Sequence, residues 1–342
     1  MDRSKKKLSY NGLLAILAAA LVVTIIGSVT LGRYPIGLRE LGGIIASRFV
    51  YIEPFWSKTQ ESLLMMHRLP RIILACLVGG GLSSAGASYQ GVFQNPMASP
   101  DILGASAGAG FGAALSILLG ASSMGITIGA FASSMITVAL VFTVSRHARG
   151  DRVLGLVLAG IMISSLFQSG TSFLKLVADP NNQLPQITYW LMGSLSGAKW
   201  KDIGFVMIPM LGGLIPLLLL RWQLNVITMG DDEAQAMGVD PRKIRLWIAV
   251  ASTLVTASAV SVSGMIGWVG LVIPHMMRRV VGSDYRFLMP ASMLGGGIFL
   301  LVVDNVSRNA TTAGIPIGIL TAFIGAPFFL WLITGKGDHY EH

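Results

Sequence analysis

The residues that could do chemistry in this chain are few and scattered. His275 is the obvious candidate for acid–base or metal chemistry, but no second His or Cys stands at ligand spacing from it. The sequence has no H-E-x-x-H motif and no GxxxxGK[ST] loop to hold nucleotide phosphates. It also has no clustered nucleophile and base. These patterns indicate a structural, hydrogen-bonding role for His275 and no cofactor bound by the chain itself.

Charge pairing is the chemistry that the arginines next to apolar runs can do. Arg68 and Arg71 stand just before one such run, and Arg308 stands at the end of another. Asp304 lies four residues before Arg308, so the two share a helix face and are expected to pair. Arginines at such positions commonly anchor their helices in the headgroup region.

A short polar segment separates two later apolar runs. It opens with three acidic residues: Asp231, Asp232 and Glu233. Acidic residues suit a helix N-terminus, and Gly238 followed by Pro241 suits a helix end. We therefore expect a helix of about two turns over 231–238 that presents Ala234 and Met237 on one face. Such a helix suits the docking of a partner, and a structured loop without a partner is the alternative.

Polar residues also surround the end of the second apolar run. Gln90, Asn95 and Pro96 lie in the last part of that run. Pro96 and Pro100 stop one helix, and Asp101 or a neighbouring serine can cap the next. The next run contains glycines at every fourth position, which predict a close helix–helix contact. These are Gly104, Gly108 and Gly112.

The composition requires lipid as the main solvent. Of the 342 residues, 53% are hydrophobic and 12% are charged, and mean hydropathy is +0.68. Soluble domains carry about 25% charged residues, so this chain cannot cover a water-facing surface. The net charge of +9 lies in short loops, where it sets topology and meets anionic lipid rather than nucleic acid. A single cysteine excludes a disulfide framework.

Stretches without Asp, Glu, Lys or Arg give the number of spans, since a membrane helix needs about 20 residues. Six of the eight stretches fit one helix each. The stretch 102–145 predicts a helix pair broken near Gly120, and 246–277 predicts a full helix followed by a short one. The basic N-terminus and its apolar run are interpreted as a retained first span. The eight stretches are 8–32, 72–100, 102–145, 153–174, 203–220, 246–277, 287–303 and 309–335.

The count predicts an all-α, polytopic membrane protein of about ten spans, with 1–342 as a single membrane domain. An even number of spans places both termini on one side. Of the 25 Lys and Arg residues, fifteen then fall on that side and ten on the other. The positive-inside rule makes the richer side cytoplasmic.

Several motifs, taken in order, resemble the permease subunits of ATP-binding-cassette (ABC) importers for ferric siderophores, haem and cobalamin, known as the FecCD or type II importer family. They cover about residues 67–332, and together they are highly specific. The matching motifs are Arg68-Leu-Pro-Arg71, Gln90 to Asn95-Pro-x-Ala-x-Pro100 with Leu103-Gly104, Trp190-Leu-Met-Gly193-Ser, Gly230 to Gly238, Ile266-Gly-x-x-Gly-Leu-x-x-Pro274-His275 and Pro316-Ile-Gly-Ile-x-Thr-Ala-x-Ile-Gly-Ala-Pro327.

The resemblance implies ten helices per subunit and two permease copies around a central pathway. It implies two cytoplasmic ATPase subunits, which use ATP and Mg, and an external substrate-binding protein. The segment 231–238 matches the coupling helix that contacts the ATPase. Arg68, Arg71 and Arg308 match residues that meet glutamates of the binding protein in the cobalamin importer.

The pathway is expected between the two copies, near the second, third, fifth and eighth to tenth spans. Gln90, Asn95 and Pro96 are its polar candidates near the inner end. One departure from the family is Gly314, which stands where an acidic residue is usual.

Two other functions remain open from the residues. An ion-coupled secondary transporter would require ionisable residues or broken-helix ion sites in mid-span, and no acidic residue is found there. A membrane enzyme would require a polar catalytic cluster. Ferric siderophore leads as the substrate on family frequency, with haem, a corrinoid or an oxyanion still possible.

Overall fold

The computed structural model describes residues 9–32, 34–147, 152–311 and 314–334, and the regular structure of these residues is helical. Fifteen α-helices are numbered in chain order. They are α1 Tyr10–Thr30, α2 Leu38–Ala46, α3 Lys58–Ser62, α4 Leu69–Val92, α5 Ala105–Leu118, α6 Ser123–Ser145, α7 Arg152–Val177, α8 Gln183–Leu191, α9 Trp200–Leu219, α10 Arg221–Ile227, α11 Asp231–Ala236, α12 Pro241–Ser263, α13 Val269–Val281, α14 Tyr285–Ala310 and α15 Ile317–Thr334.

The predicted spans are confirmed in the described part of the chain. Seven helical stretches are long and apolar enough to cross a membrane: those containing α1, α4, α6, α7, α9, α12 and α14. The shorter apolar helices α5 and α15 and the short helix α13 bring the number to ten. The run 102–145 is a helix pair, and 246–277 is a long helix followed by a short one, as predicted.

The charge-free runs misplace the start of the second span. That helix runs without interruption from Lys58 to Val92, so it begins well before the apolar run and carries Arg68 and Arg71 within it. A capping box between Ser57 and Gln60 starts it. A π-helical turn over Leu63–Arg68 then joins α3 to α4. Local capping therefore extends the helix beyond the stretch that hydrophobicity marks.

Helix α4 lies at the centre of the bundle because its glycines let neighbouring backbones approach. An added Cβ at Gly79 would lie 2.2 Å from the carbonyl oxygen of Gly296 in α14. At Gly86 it would lie 1.8 Å from the carbonyl oxygen of Gly270 in α13. Glycine is therefore needed at both contacts. The most apolar window of the helix that contains α4 is 83% buried, against 11% for α1, whose surface is apolar and outward-facing.

The predicted glycine face is also confirmed, with one change. Added Cβ atoms at Gly108 and Gly112 would lie 2.1 Å from the Thr137 hydroxyl oxygen and 2.3 Å from the Gly129 carbonyl oxygen, both in α6. Gly104 lies outside the helix. Its φ of +76° makes it the left-handed residue that precedes α5.

The two ends of the bundle are named here by residues of α4. Its 24 residues span about 36 Å, which is enough to cross the hydrocarbon core. The end where Arg71 lies beside the last turns of α14 is called the Arg71 end. The opposite end, where Gln94 contacts α10, is called the Gln94 end.

Candidate functional site

The short helix predicted over 231–238 is present at the Gln94 end as α11. Gly230, with a φ of +136°, leads into it, and Gly238, with a φ of +77°, follows it. Met237 is 50% exposed, but Ala234 is fully buried in the bundle core. The predicted face of Ala234 and Met237 is therefore wrong. Ala234 holds α11 to the bundle, and the exposed residues are Asp231, Asp232, Glu233, Gln235, Ala236 and Met237.

Ion pairing fixes the orientation of α11 on α12. The Arg245 guanidinium donates to both carboxylate oxygens of Asp231, at 2.6 and 2.9 Å. This hydrogen bond lowers the pKa of Asp231. Asp240 caps α12 by accepting the backbone N–H groups of Arg242 and Lys243, and the Lys243 bond is the largest cause of its lowered pKa. Helix α11 is therefore connected firmly to a long helix.

A second connection links α11 to the central helix. The Gln94 side-chain amide donates to the Ile227 carbonyl at 3.0 Å, at the end of α10 and just before α11. Gln94 has a φ of +47°, a left-handed backbone that is unfavourable for a residue with a Cβ. Displacement of α11 would therefore act on the end of α4.

At the opposite end, Asp304 does not pair with Arg308 as predicted. It accepts the Nε–H of Arg71 across the α4–α14 contact, at 2.8 and 3.0 Å from its two carboxylate oxygens. The Asp304 side chain is 3% exposed because it points into that contact rather than along its own helix. Tertiary packing thus overrides the local i,i+4 spacing.

Arg68 and Arg308 are hydrogen-bonded within the chain. Arg68 is 5% exposed and donates to the carbonyls of Val29 and Tyr34. Arg308 donates to the carbonyl of Ser28 and to the Asn305 side-chain oxygen. The last carbonyls of a helix lack intrahelical partners, and the two arginines satisfy those of α1.

The three arginines nevertheless border one cavity of about 230 Å³ at the Arg71 end. His67 and the exposed Asn309 border it too, and no carboxylate is among its described lining residues. The sequence-predicted arginines are therefore together, and the cavity they form carries positive charge.

The pathway candidates Gln90, Asn95 and Pro96 are brought together at the Gln94 end. They border a pocket of about 330 Å³, which is called the basic pocket here. The Gln90 side-chain oxygen accepts from Arg278 at 2.6 Å, and the Asn95 side-chain oxygen accepts the Met97 N–H at 2.8 Å. The other described residues of its wall are Gln94, Thr228, His275, Arg278, Arg279, Ser283 and Tyr285.

Sequence reasoning missed the two arginines of this pocket. Arg278 and Arg279 lie in the last turn of α13. In the sequence they count only among the basic residues that set the orientation of the chain in the membrane. A signal was present, because they follow His275 by three and four residues, which is about one helical turn and places all three on one face. The predicted hydrogen-bonding role of His275 is not seen among the described residues, where its ring borders the pocket instead.

A larger apolar cavity of about 700 Å³ lies between the loop before α13 and the helix α15. Trp268 stands at its wall with a φ of +69°, a left-handed backbone that is rare for an aromatic residue. Phe323, which is 75% exposed, lies opposite in α15. Two flexible methionines are also part of the wall, which is largely apolar. These are Met192 and Met265.

An adjacent cavity of about 280 Å³ contains a carboxylate, which the apolar runs did not predict. Asp101 borders it together with Leu82 and Thr256, which lie well inside α4 and α12. The loop after α4 therefore returns into the bundle. One oxygen of Asp101 accepts the Ser106 N–H at 2.7 Å, so the predicted capping of α5 is confirmed and the helix N-terminus offsets the charge.

The comparisons with known proteins decide the family. The model of the FecCD transport family matches residues 20–335. The chain belongs to the FecCD transport family. The molybdate import system permease protein MolB of Haemophilus influenzae is 38% identical to this chain. The alignment covers 94% of this chain and 95% of MolB.

Other relatives are named for different substrates. The hemin transport system permease protein HmuU of Yersinia pestis is 35% identical over 95% of this chain and 96% of its own length. A solved inward-facing structure, described as of the metal-chelate ABC transporter type, matches with a TM-score of 0.84 and 38% identity, over 94% of this chain and 98% of that one. This FecCD chain is thus an integral membrane permease of an ABC importer, with the predicted type II fold.

Proposed function

We propose that this chain is the membrane-spanning subunit of an ATP-driven importer that moves a metal chelate across the cytoplasmic membrane by alternating access. The observation that carries the proposal is α11, a rigidly attached helix with an exposed, largely polar face at one end of the bundle. ATP hydrolysis belongs to a separate ATPase. The chain contributes shape and a path, and it makes or breaks no covalent bond.

Coupling to the ATPase falls to α11. The exposed Asp232, Glu233 and Met237 meet the ATPase, while the buried Ala234 and the Asp231–Arg245 pair transmit its movement to the bundle. Gly238 lets the chain turn into α12. The hydrogen bond from Gln94 to Ile227, the last residue of α10, supports this transmission, since Gln94 directly follows the end of the central helix.

The Gln94 end faces the cytoplasm, together with both termini, and the Arg71 end faces outward. The distribution of basic residues supports this orientation. An external binding protein docks at the Arg71 end. Arg68, Arg71 and Arg308 take part through the cavity they border, where an acidic side chain of the binding protein would meet three guanidinium groups.

Two permease copies form the pathway. The apolar cavity at Trp268 and Phe323 opens toward the second copy, and Gln90, Asn95 and Pro96 border the inner exit. Ferric siderophore leads as the cargo on family frequency, with haem and cobalamin next. The molybdate relative keeps an oxyanion among the candidates.

The direct test is reconstitution of the chain with cassette ATPases and a binding protein in lipid vesicles. Uptake that requires ATP inside and the binding protein outside supports the proposal. Uptake on an ion gradient, without any ATPase, would establish the ion-coupled secondary transporter instead.

A further inference from the structure

The basic pocket at the Gln94 end contains positive charge that none of the described carboxylates neutralises. Arg278 donates to two neutral groups, the Gln90 side-chain oxygen at 2.6 Å and the Tyr285 hydroxyl at 3.3 Å. The Arg279 guanidinium lies 5.1 Å above the Trp331 ring, a contact that does not use its N–H groups as hydrogen-bond donors. The ion pairs of the described residues include neither arginine.

The acidic residue next to the pocket is already committed elsewhere. Asp284 accepts from Arg286 at 2.6 Å and from the Asn225 side-chain amide at 2.7 Å. The Arg286 hydrogen bond is the main reason that its pKa falls to about 2. Asp284 is absent from the described wall of the pocket. The cationic wall therefore has no carboxylate partner within the described chain.

The pocket has further donors and enough room for an anion. Because the Asn95 side-chain oxygen accepts the Met97 N–H, its amide nitrogen is left as a donor at the pocket wall. His275 can offer a ring N–H. The volume of about 330 Å³ holds a small anion and several waters, each of which needs about 30 Å³. The left-handed backbone of Gln94 also places strain at this wall, as is common at binding sites.

We propose that the basic pocket is a binding site for a small multivalent oxyanion of the phosphate or molybdate class. Arg278 and Arg279 supply the charge, and His275 and Asn95 supply additional hydrogen-bond donors. The guanidinium fork matches the spacing of oxygen atoms on such anions. A bare metal cation would be repelled, and a complete metal chelate would not fit the volume.

Oxyanion binding here would act next to the coupling helix. Thr228, in the pocket wall, is three residues before Asp231, and Gln94 contacts Ile227. An anion in the pocket would therefore hold the ends of α4 and α13 and the residues before α11 in one arrangement. The anion is released cargo only if the proposed import function carries the oxyanion candidate instead of a metal chelate, whereas the binding itself does not rest on that function.

The test is calorimetric titration of the full chain in nanodiscs of zwitterionic lipid, in dilute chloride buffer at neutral pH. The probes are inorganic phosphate and molybdate. We expect one saturable site per chain, with Arg279→Gln weakening the affinity by about tenfold, which corresponds to about 1.4 kcal/mol. The control Lys243→Gln removes an exposed charge from the start of α12, outside the pocket, and should bind as the unaltered chain does.

Further experiments distinguish a lipid phosphate from a free oxyanion and show that the variants remain folded. The same titration is repeated in nanodiscs of anionic phosphatidylglycerol. If added phosphate binds more weakly there than in zwitterionic lipid, and the difference disappears in Arg279→Gln, a lipid phosphate occupies the pocket and is a natural source of the oxyanion. Thermal unfolding of Arg279→Gln should match the unaltered chain, since this arginine is exposed. Arg278→Lys should retain the charge but lose the fork, and it should bind with intermediate affinity.

Three results would overturn the proposal: no saturable binding, unchanged binding in Arg279→Gln and Arg278→Gln, or equal weakening in Lys243→Gln. ATP-driven import without oxyanion binding would reject this site alone. Oxyanion binding by a chain that couples to no ATPase would reject the proposed function alone.

Discussion

Arg71 and Asp304 join the central helix of the bundle to its main neighbour. The Arg71 Nε atom lies 2.8 Å from one carboxylate oxygen of Asp304 and 3.0 Å from the other. Their side chains are 16% and 3% exposed, so the pair is shielded from water. Removal of one partner leaves a buried charge without compensation, and that loss is much larger than for a surface pair.

We predict that Arg71→Gln destabilises the protein by about 3 kcal/mol, measured by thermal unfolding in nanodiscs. Arg48→Gln breaks the exposed Arg48–Glu61 pair and should cost less than about 1 kcal/mol. The double variant Arg71→Gln with Asp304→Asn should lose less than the sum of the single variants. Strict additivity would show that the pair contributes no interaction energy.

Close backbone packing gives a second prediction. Gly86→Ala places a methyl group where the Gly270 carbonyl oxygen is 1.8 Å away, so α4 and α13 must separate. We expect a loss of about 1–3 kcal/mol or failure to assemble, measured by thermal unfolding and size-exclusion chromatography. Gly204→Ala is the matched control, because no atom lies within 4 Å of the added Cβ. Equal effects at the two positions would contradict the packing described here.

The attachment of α11 gives a third prediction. Arg245→Gln removes the partner of Asp231 while leaving the exposed face of α11 intact. The variant should still bind the ATPase but transport more slowly per ATP hydrolysed, because the helix moves without moving α12. The measurement is the ratio of uptake to ATP hydrolysis in vesicles, with Lys243→Gln as the control. An unchanged ratio would remove this pair from the coupling route.

The pH dependence of that attachment follows from the sign of the pKa shift. Hydrogen bonding from Arg245 lowers the pKa of Asp231 below the ordinary 3.8. A lowered carboxyl pKa gives stabilisation that is complete above the ordinary value and is lost as the pH falls through the shifted one. Between pH 5.5 and 8 the coupling ratio of the unaltered chain should therefore show no transition from Asp231. Asp231→Asn should change the ratio of uptake to ATP hydrolysis by the same factor at every pH in this range.

Docking at the Arg71 end can be tested without disturbing the bonds of Arg68 and Arg308. Asn309 is exposed at the rim of their cavity, so Asn309→Asp adds a negative charge there. We expect weaker binding of the external protein at low salt and a smaller difference at high salt. Asn309→Gln keeps the rim neutral and should bind normally. If both variants bind equally well at every salt concentration, the cavity is not a docking site.

The fold was largely predictable from the sequence because charged residues are costly inside lipid, so stretches without charge mark the membrane spans. The two long runs, 102–145 and 246–277, were divided correctly into helices, since glycine interrupts both. The short helices α2, α3, α8 and α10 were not predicted. They lie in connections where capping and packing decide the structure, and hydropathy does not mark such elements.

The side-chain partners were less predictable than the helices. Asp304 pairs with Arg71, which is 233 positions away, rather than with Arg308 on its own helix. Ala234 faces inward although the segment around it is polar. Both outcomes depend on which helix packs against which, and a single sequence contains no direct record of that packing.

The most direct test of the proposed coupling is ATP-driven uptake by vesicles that contain the chain, cassette ATPases and a binding protein, comparing Met237→Asp with the control Lys243→Gln. Met237 is 50% exposed on α11, so a charge there should disrupt ATPase docking without unfolding the bundle. Uptake and stimulated ATP hydrolysis should be lost together in Met237→Asp and retained in the control. Full uptake and hydrolysis in Met237→Asp would contradict the assignment of α11 as the coupling element.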